Sequence, residues 1–171
     1  MREYKYVGPN ELLSLIGKSS SRRLIQSQAD ILSWVSQTHQ QPDAECEVIS
    51  TFIIDMSGNL WIADRHSEHV ACAAGGPVLS AGEMTFRIIE TGAEVPTVTN
   101  QSTGFCPEPE SWPSVANTLD KIGLAHPDDF TTYFHFRRCG KCGSINIVKG
   151  DWFVCSVCDA ELDQTWNFNS E

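Results

Sequence analysis

Four cysteines stand as two close pairs near the end of the 171-residue chain: Cys139-Gly140-Lys141-Cys142 and, after twelve intervening residues, Cys155-Ser156-Val157-Cys158. A Cys-x-x-Cys turn curls its backbone amides towards two sulfurs, and two such turns brought together make a tetrahedral set of soft ligands suited to zinc. Four thiolates leave no open coordination position, so the expected metal holds the fold and does not catalyse. Gly143, directly after the first pair, supplies the freedom a tight knuckle needs. Ile145, Ile147 and Val148, then Trp152, Phe153 and Val154, are strand formers on either side of the turn Lys149-Gly150-Asp151 and are expected to pair as a hairpin. Leu162, Trp166 and Phe168 follow as apolar cover for a module too small to bury much by itself.

A second concentration of chemistry lies mid-chain. Asp64-Arg65-His66-Ser67-Glu68-His69 packs two acids, an arginine and two histidines beside an expected strand. Ser80-Ala81-Gly82-Glu83 follows, and then Asn100-Gln101-Ser102. In a mostly antiparallel domain these clusters fall at turns and are expected to converge at one end of the sheet. Converging polar groups in a cleft are the usual form of a ligand or catalytic site. His66, Glu68 and Glu83 are the candidates for acid-base work, and Asp64, Arg65, His69, Asn100, Gln101 and Ser102 for holding a ligand. His66-Ser67-Glu68 also matches the His-x-Glu half of a zinc deaminase signature. The Pro-Cys-x-x-Cys half is missing, because Cys106 is followed by Pro107-Glu108-Pro109. Cys106 or Cys72 as a nucleophile beside His66 or His69 is a further idea, set against plain core packing of each thiol.

These groups must be positioned by elements that the hydrophobic pattern outlines. Residues 9–17 read as a short helix opened by Pro9 and closed by Gly17. Residues 18–23 read as a serine-rich loop. Ala29, Ile31, Leu32, Trp34 and Val35 give one apolar face to a helix running from Ser27 to about Thr38. The period then changes. Residues 47–54 and 60–63 form an expected hairpin around Asp55-Met56-Ser57-Gly58-Asn59, with further strands at 70–73, 83–89, 95–100 and 131–138. A third helix is expected over 111–124, with Ser111 as N-cap and Pro113 in its first turn. The class is α+β: two N-terminal helices, a central antiparallel β region, one further helix and a C-terminal ribbon. The division is 1–45, an N-terminal helical segment; 46–135, a central α+β domain; and 136–171, the ribbon.

Composition narrows the function. A formal net charge of −10 argues against broad adhesion to nucleic acid or an anionic membrane. No run reaches the roughly 18–20 apolar residues of a membrane span. Met1-Arg2-Glu3-Tyr4-Lys5-Tyr6 lacks the apolar core of a secretory signal, so the expected location is cytoplasmic. In that compartment two disulfides are not expected.

Residues 136–168 resemble the large class of four-cysteine zinc ribbons. Residues 63–109 are similar to a β-rich module of bacterial polymorphic toxin and effector proteins, which carries an Ala-Gly-Glu strand followed by Asn-x-Ser-Gly-His-Tyr. Ala81-Gly82-Glu83 and Asn100-Gln101-Ser102 match, while Thr103 intervenes before Gly104 and Phe105-Cys106 replaces His-Tyr. That resemblance implies a β-rich scaffold with a polar pocket and a role in bacterial conflict or defence. The reading is a small binding or adaptor module with a structural zinc, its partner a protein or small ligand and not a membrane. The alternatives are an acid-base hydrolase or transferase using His66 with Glu68 or Glu83, and nucleic-acid binding through Arg137, Arg138 and Lys141 on the ribbon's first knuckle.

Overall fold

The computed structural model describes residues 1–18 and 22–168, so Ser19 to Ser21, within the expected serine-rich loop, lie outside the described residues. A five-stranded antiparallel sheet in the order β1-β3-β2-β4-β5 forms the body: β1 Arg23–Ile25, β2 Glu47–Asp55, β3 Leu60–Asp64, β4 Val78–Ile89 and β5 Gly92–Val98. The β-branched run of β2 supplies its centre. The β2–β3 turn is built by Asp55, whose carboxylate accepts from the Ser57 and Asn59 amides at 2.9 Å and from the Trp61 indole at 2.9 Å. A second, two-stranded antiparallel sheet pairs β6 (His135–Arg138) with β7 (Ile145–Val148) and carries the four cysteines.

Strand alternation gives the large sheet two buried faces. Phe52, Ile54, Leu60, Ile62, Met84 and Phe86 point to one face. There α1 (Gln28–Gln37) contributes Ile31 and Trp34, and α3 (Trp112–Ile122) contributes Trp112, Val115 and Leu119. The other face carries Ile53, Ala63 and Ala81, covered by Tyr4, Phe105 and Cys72, with Trp166 packed against them. Cys72 lies on α2, a single turn over His69–Cys72. The polar positions of β2 and β4 that share this second face, Thr51 and Glu83, are directly opposed across the ladder.

Several expectations are corrected. The segment 70–73 is helical, not extended, because the Glu68 carbonyl accepts from the Ala71 and Cys72 amides and closes a turn. The expected first helix is a 3₁₀ turn over Asn10–Leu15 with no buried residue, so nothing packs it into a longer element. Strand β1 begins at Arg23, the last residue of the expected loop, and its other two residues carry no sequence expectation. Ser111 stands at the N-cap of α3 as expected, with Pro113 in the first turn, but it ends a short 3₁₀ turn and makes no side-chain cap. In the ribbon, 145–148 pairs with 135–138; residues 152–154 make only the isolated bridges Lys149–Trp152 and Val154–Glu161.

Candidate functional site

The four cysteines form one cluster able to hold a metal ion. Each offers a sulfur, and all four sulfurs lie within 4.8 Å of one another. Cys139 and Cys158 are 3.6 Å apart, as are Cys142 and Cys155. A tetrahedral site with metal–sulfur bonds of about 2.3 Å places its sulfurs about 3.8 Å apart, so the set is already near ligating geometry. The two knuckles are built alike. The Gly143 amide donates back to the Cys139 carbonyl at 2.9 Å, and the Asp159 amide to the Cys155 carbonyl at 3.0 Å. Gly143 and Asp159 hold the equivalent left-handed position, with φ of 75° and 56°.

Donors surround the sulfurs. The Ser144 hydroxyl lies 3.0 Å from Cys142 Sγ and 3.3 Å from Cys155 Sγ, and Asn146 Nδ2 donates to Cys155 at 3.5 Å. The Val157 amide donates to the same sulfur at 3.4 Å. Led by the Ser144 hydroxyl, these bonds pull the Cys155 thiol down to about 5. Hydrogen bonds to ligand sulfurs are the usual outer support of such a site. Among the described residues no other group of three histidines, cysteines or acids is placed to hold a metal.

The central polar stretch folds over the middle of the sheet's second face and not at one end of it. Asp64 builds the turn: its carboxylate accepts from the His66 amide at 2.9 Å and from Gln40 Nε2 at 3.1 Å. The Thr51 hydroxyl donates towards the Arg65 and Ser67 carbonyls at 3.3 and 3.2 Å and fastens the turn to β2. From the other side comes the chain leaving β5. A Cβ placed on Gly82 would stand 1.9 Å from the Thr99 carbonyl oxygen, so only glycine admits this approach. The result is a cavity of about 260 Å³ lined by Arg65, His66, Glu68, His69, Glu83 and Gln101, with the hydroxyl residues Thr51, Ser67 and Thr103.

Six of the nine residues singled out mid-chain therefore share one cavity. Asp64, Asn100 and Ser102 do not line it. Asn100 is fully buried, with Nδ2 donating to the Pro107 and Phe134 carbonyls. Ser102 is buried as well, and its hydroxyl has no partner. His69 Nε2 faces the Gly82 carbonyl at 2.9 Å, which makes it the protonated nitrogen of a neutral ring. Burial holds its pKa below the ordinary value. Thr51, Ser67 and Thr103 were not singled out from the sequence; the alternation that puts Thr51 on the same face as Ile53 is the one signal that pointed to any of them.

The two thiols considered as nucleophiles, Cys72 and Cys106, are not poised for it. Cys72 and Cys106 are completely buried, and burial pushes Cys72 up to about 12 and Cys106 higher still. On the ribbon, Arg137 was expected at the surface and is 3% exposed, held by Glu108. Arg138 lies over the Phe168 ring and donates to the Gly143 carbonyl at 3.2 Å. Of the three cations proposed for nucleic acid, only Lys141 stands exposed and unengaged among these contacts. Among the described residues no helix is long and apolar enough to cross a membrane.

Comparison of the chain with protein-family models, with curated proteins and with solved structures finds no match. The similarity of residues 63–109 to a toxin module thus stands on its short motifs alone.

Proposed function

We propose that this chain is a ligand-binding module in which a zinc-held ribbon braces an antiparallel sheet, and that the sheet's polar cavity receives a small, hydrogen-bonding ligand. The carrying observation is the cavity itself. Three separate segments bring Arg65, His66, Glu68, Glu83 and Gln101 to one place, and its lining contains no apolar side chain. A volume of about 260 Å³ falls just below the roughly 300 Å³ at which drug-sized ligand sites begin, so the ligand must be small. A sugar ring or a free amino acid has the size and the polarity to match. Zinc is the metal that a closed four-thiolate set with tetrahedral spacing best suits. A role in bacterial conflict or defence rests on Ala81-Gly82-Glu83 and Asn100-Gln101-Ser102 alone.

Acid-base catalysis at the same cavity is the second reading, favoured by the presence of His66 beside Glu68 and Glu83. Three measurements separate the possibilities. Elemental analysis of purified protein is expected to give one zinc per chain, lost in Cys155→Ala and kept in His66→Ala; loss in His66→Ala would mean a metal in the cavity and sink the ligand-only reading. Titration of ¹⁵N-labelled protein with monosaccharides and amino acids is expected to shift the Gln101 side-chain amide, and Glu83→Ala should erase the shift. Where a probe is also turned over, Glu68→Gln should lower the rate by about 10²–10⁴-fold if that carboxyl moves the proton.

A further inference from the structure

The charged groups of the polar cavity stand together without pairing. Glu83, at the middle of β4, is the most deeply set of them. The ladder places it directly opposite Thr51, whose hydroxyl reaches the Arg65 and Ser67 carbonyls at 3.3 and 3.2 Å. On its other flank the Thr99 hydroxyl accepts from the Glu83 and Gln101 amides, each at 3.3 Å. The turn carrying Arg65 and Glu68 and the strand exit carrying Gln101 are thereby fixed on either side of one carboxylate. Yet among the described residues no hydrogen bond or ion pair engages the Arg65 guanidinium, the Glu68 or Glu83 carboxylate, or the Gln101 side-chain amide. The neighbouring Asp64 carboxylate is engaged by the His66 amide and Gln40 instead. All four groups are open to a ligand, since Arg65, Glu68 and Gln101 are exposed and Glu83 is half-buried.

We propose that this cavity binds a small zwitterion, a free α-amino acid with a short polar side chain such as serine, asparagine or glutamine. This ligand presupposes that the cavity is the binding site proposed above, and it excludes the sugar. The Arg65 fork suits a carboxylate, which it can hold through two parallel N–H···O bonds. The Glu83 carboxylate, joined by Glu68, takes the ammonium. Gln101 offers both a donor and an acceptor to the polar side chain. A sugar brings no charge, so closing over it would take water from Arg65, Glu68 and Glu83 and give none of them a counter-charge. A plain anion meets two carboxylates against one guanidinium, and a plain cation leaves Arg65 idle. The lining has no apolar side chain to receive a leucine or a phenylalanine, and about 260 Å³ holds a small amino acid but not a peptide.

The test is an NMR titration of the ¹⁵N-labelled, metal-loaded full chain with L-serine, L-asparagine, L-glutamine and glucose, read at the Gln101 side-chain amide. A saturable shift is expected with at least one of the amino acids and not with glucose. The methyl ester of that amino acid, which lacks the carboxylate, and its N-acetyl form, which lacks the ammonium, should each bind at least about tenfold more weakly, the effect of one charge-assisted hydrogen bond. Arg65→Gln should weaken the amino acid and leave the ester unchanged, while Glu83→Gln should weaken the amino acid and leave the N-acetyl form unchanged. A shift with glucose alone would overturn the zwitterion and leave the cavity a ligand site. An ester that binds as tightly as its amino acid would overturn it in favour of a plain cation. Silence with every probe at about 10 mM, a range far weaker than specific sites show, would overturn the zwitterion and the ligand site together.

Discussion

The Asn100 side chain holds both backbone polar groups of Phe134: Oδ1 accepts from its amide at 2.7 Å and Nδ2 donates to its carbonyl at 2.8 Å. The same Nδ2 donates to the Pro107 carbonyl at 2.8 Å. One amide therefore ties the chain leaving β5 to the 105–108 loop and to the segment entering the ribbon. Its neighbour Gln101 lines the polar cavity. One side chain thus contacts both the segment that enters the ribbon and the loop that walls the cavity.

Asn100→Ala should leave the Phe134 amide and two carbonyls without partners. At about 1–3 kcal/mol for a buried unsatisfied group, the expected loss is about 3 kcal/mol. Urea unfolding measures it. Hydrogen exchange should quicken both at 99–107 and at 134–138; a rise confined to one segment would contradict the tie.

Gly82→Ala drives a Cβ to within 1.9 Å of the Thr99 carbonyl oxygen and 3.0 Å of Asn100 Cα. Two backbones must part, so the cost should reach the upper end of the roughly 1–3 kcal/mol seen for overpacking. Gly140→Ala is the control, because nothing lies within 4 Å of the added carbon. A shift in urea midpoint for Gly82→Ala no larger than for Gly140→Ala would refute the close approach.

Stability should fall with acid through His69. Burial depresses its folded pKa, and the Gly82 carbonyl offsets that only in part. Above the unfolded value of about 6.5 both states are neutral and the group contributes no pH dependence. Below it the unfolded chain takes up a proton that the folded chain refuses, so unfolding becomes easier by at most about 1.4 kcal/mol per pH unit. His69→Gln keeps a donor for Gly82 and should flatten the curve in this window. The carboxylates of Asp30, Asp55 and Asp64, all held below their ordinary values, act in a lower window, as the pH falls below about 3.9.

Alkylation of native, metal-loaded protein at mildly alkaline pH should modify Cys46, which is exposed, and spare Cys72 and Cys106, which are buried with raised pKa values. All three should react in urea. Labelling of Cys106 at the rate of Cys46, read by peptide mass mapping, would reopen the nucleophile idea.

What the sequence disclosed is what local pattern determines. The apolar face of α1, the β2–β3 hairpin and the paired cysteines each follow from neighbours within a few residues. The run Val70-Ala71-Cys72-Ala73 is too short for its period to distinguish strand from helix, and the closing carbonyl of Glu68 decided it. Arg23-Leu24-Ile25 becomes a strand only because Trp61 and its neighbours lie alongside. In the polar cavity, composition revealed the density of acids and histidines but not the roles. Asp64 and Asn100 look like ligand contacts in sequence and act as fasteners in space. Glu108 and Arg137, 29 residues apart, carry no local sign of each other.

Tyr4 and Trp166 meet edge-on, their rings 5.6 Å apart, and together they help close the second face of the sheet. During synthesis these two residues emerge far apart in time. The helical face can be completed once Phe130 has left the ribosome, whereas the opposite face gains its Trp166 cover only when the tail beyond the ribbon has returned. Until then Ile53, Ala63 and Ala81 rely on Tyr4, Cys72 and Phe105 for cover, and an edge of apolar surface is open to a chaperone or an aggregating neighbour. Shortage of the metal that the four cysteines can hold would prolong that stage, which makes metal supply a determinant of yield as much as of final stability.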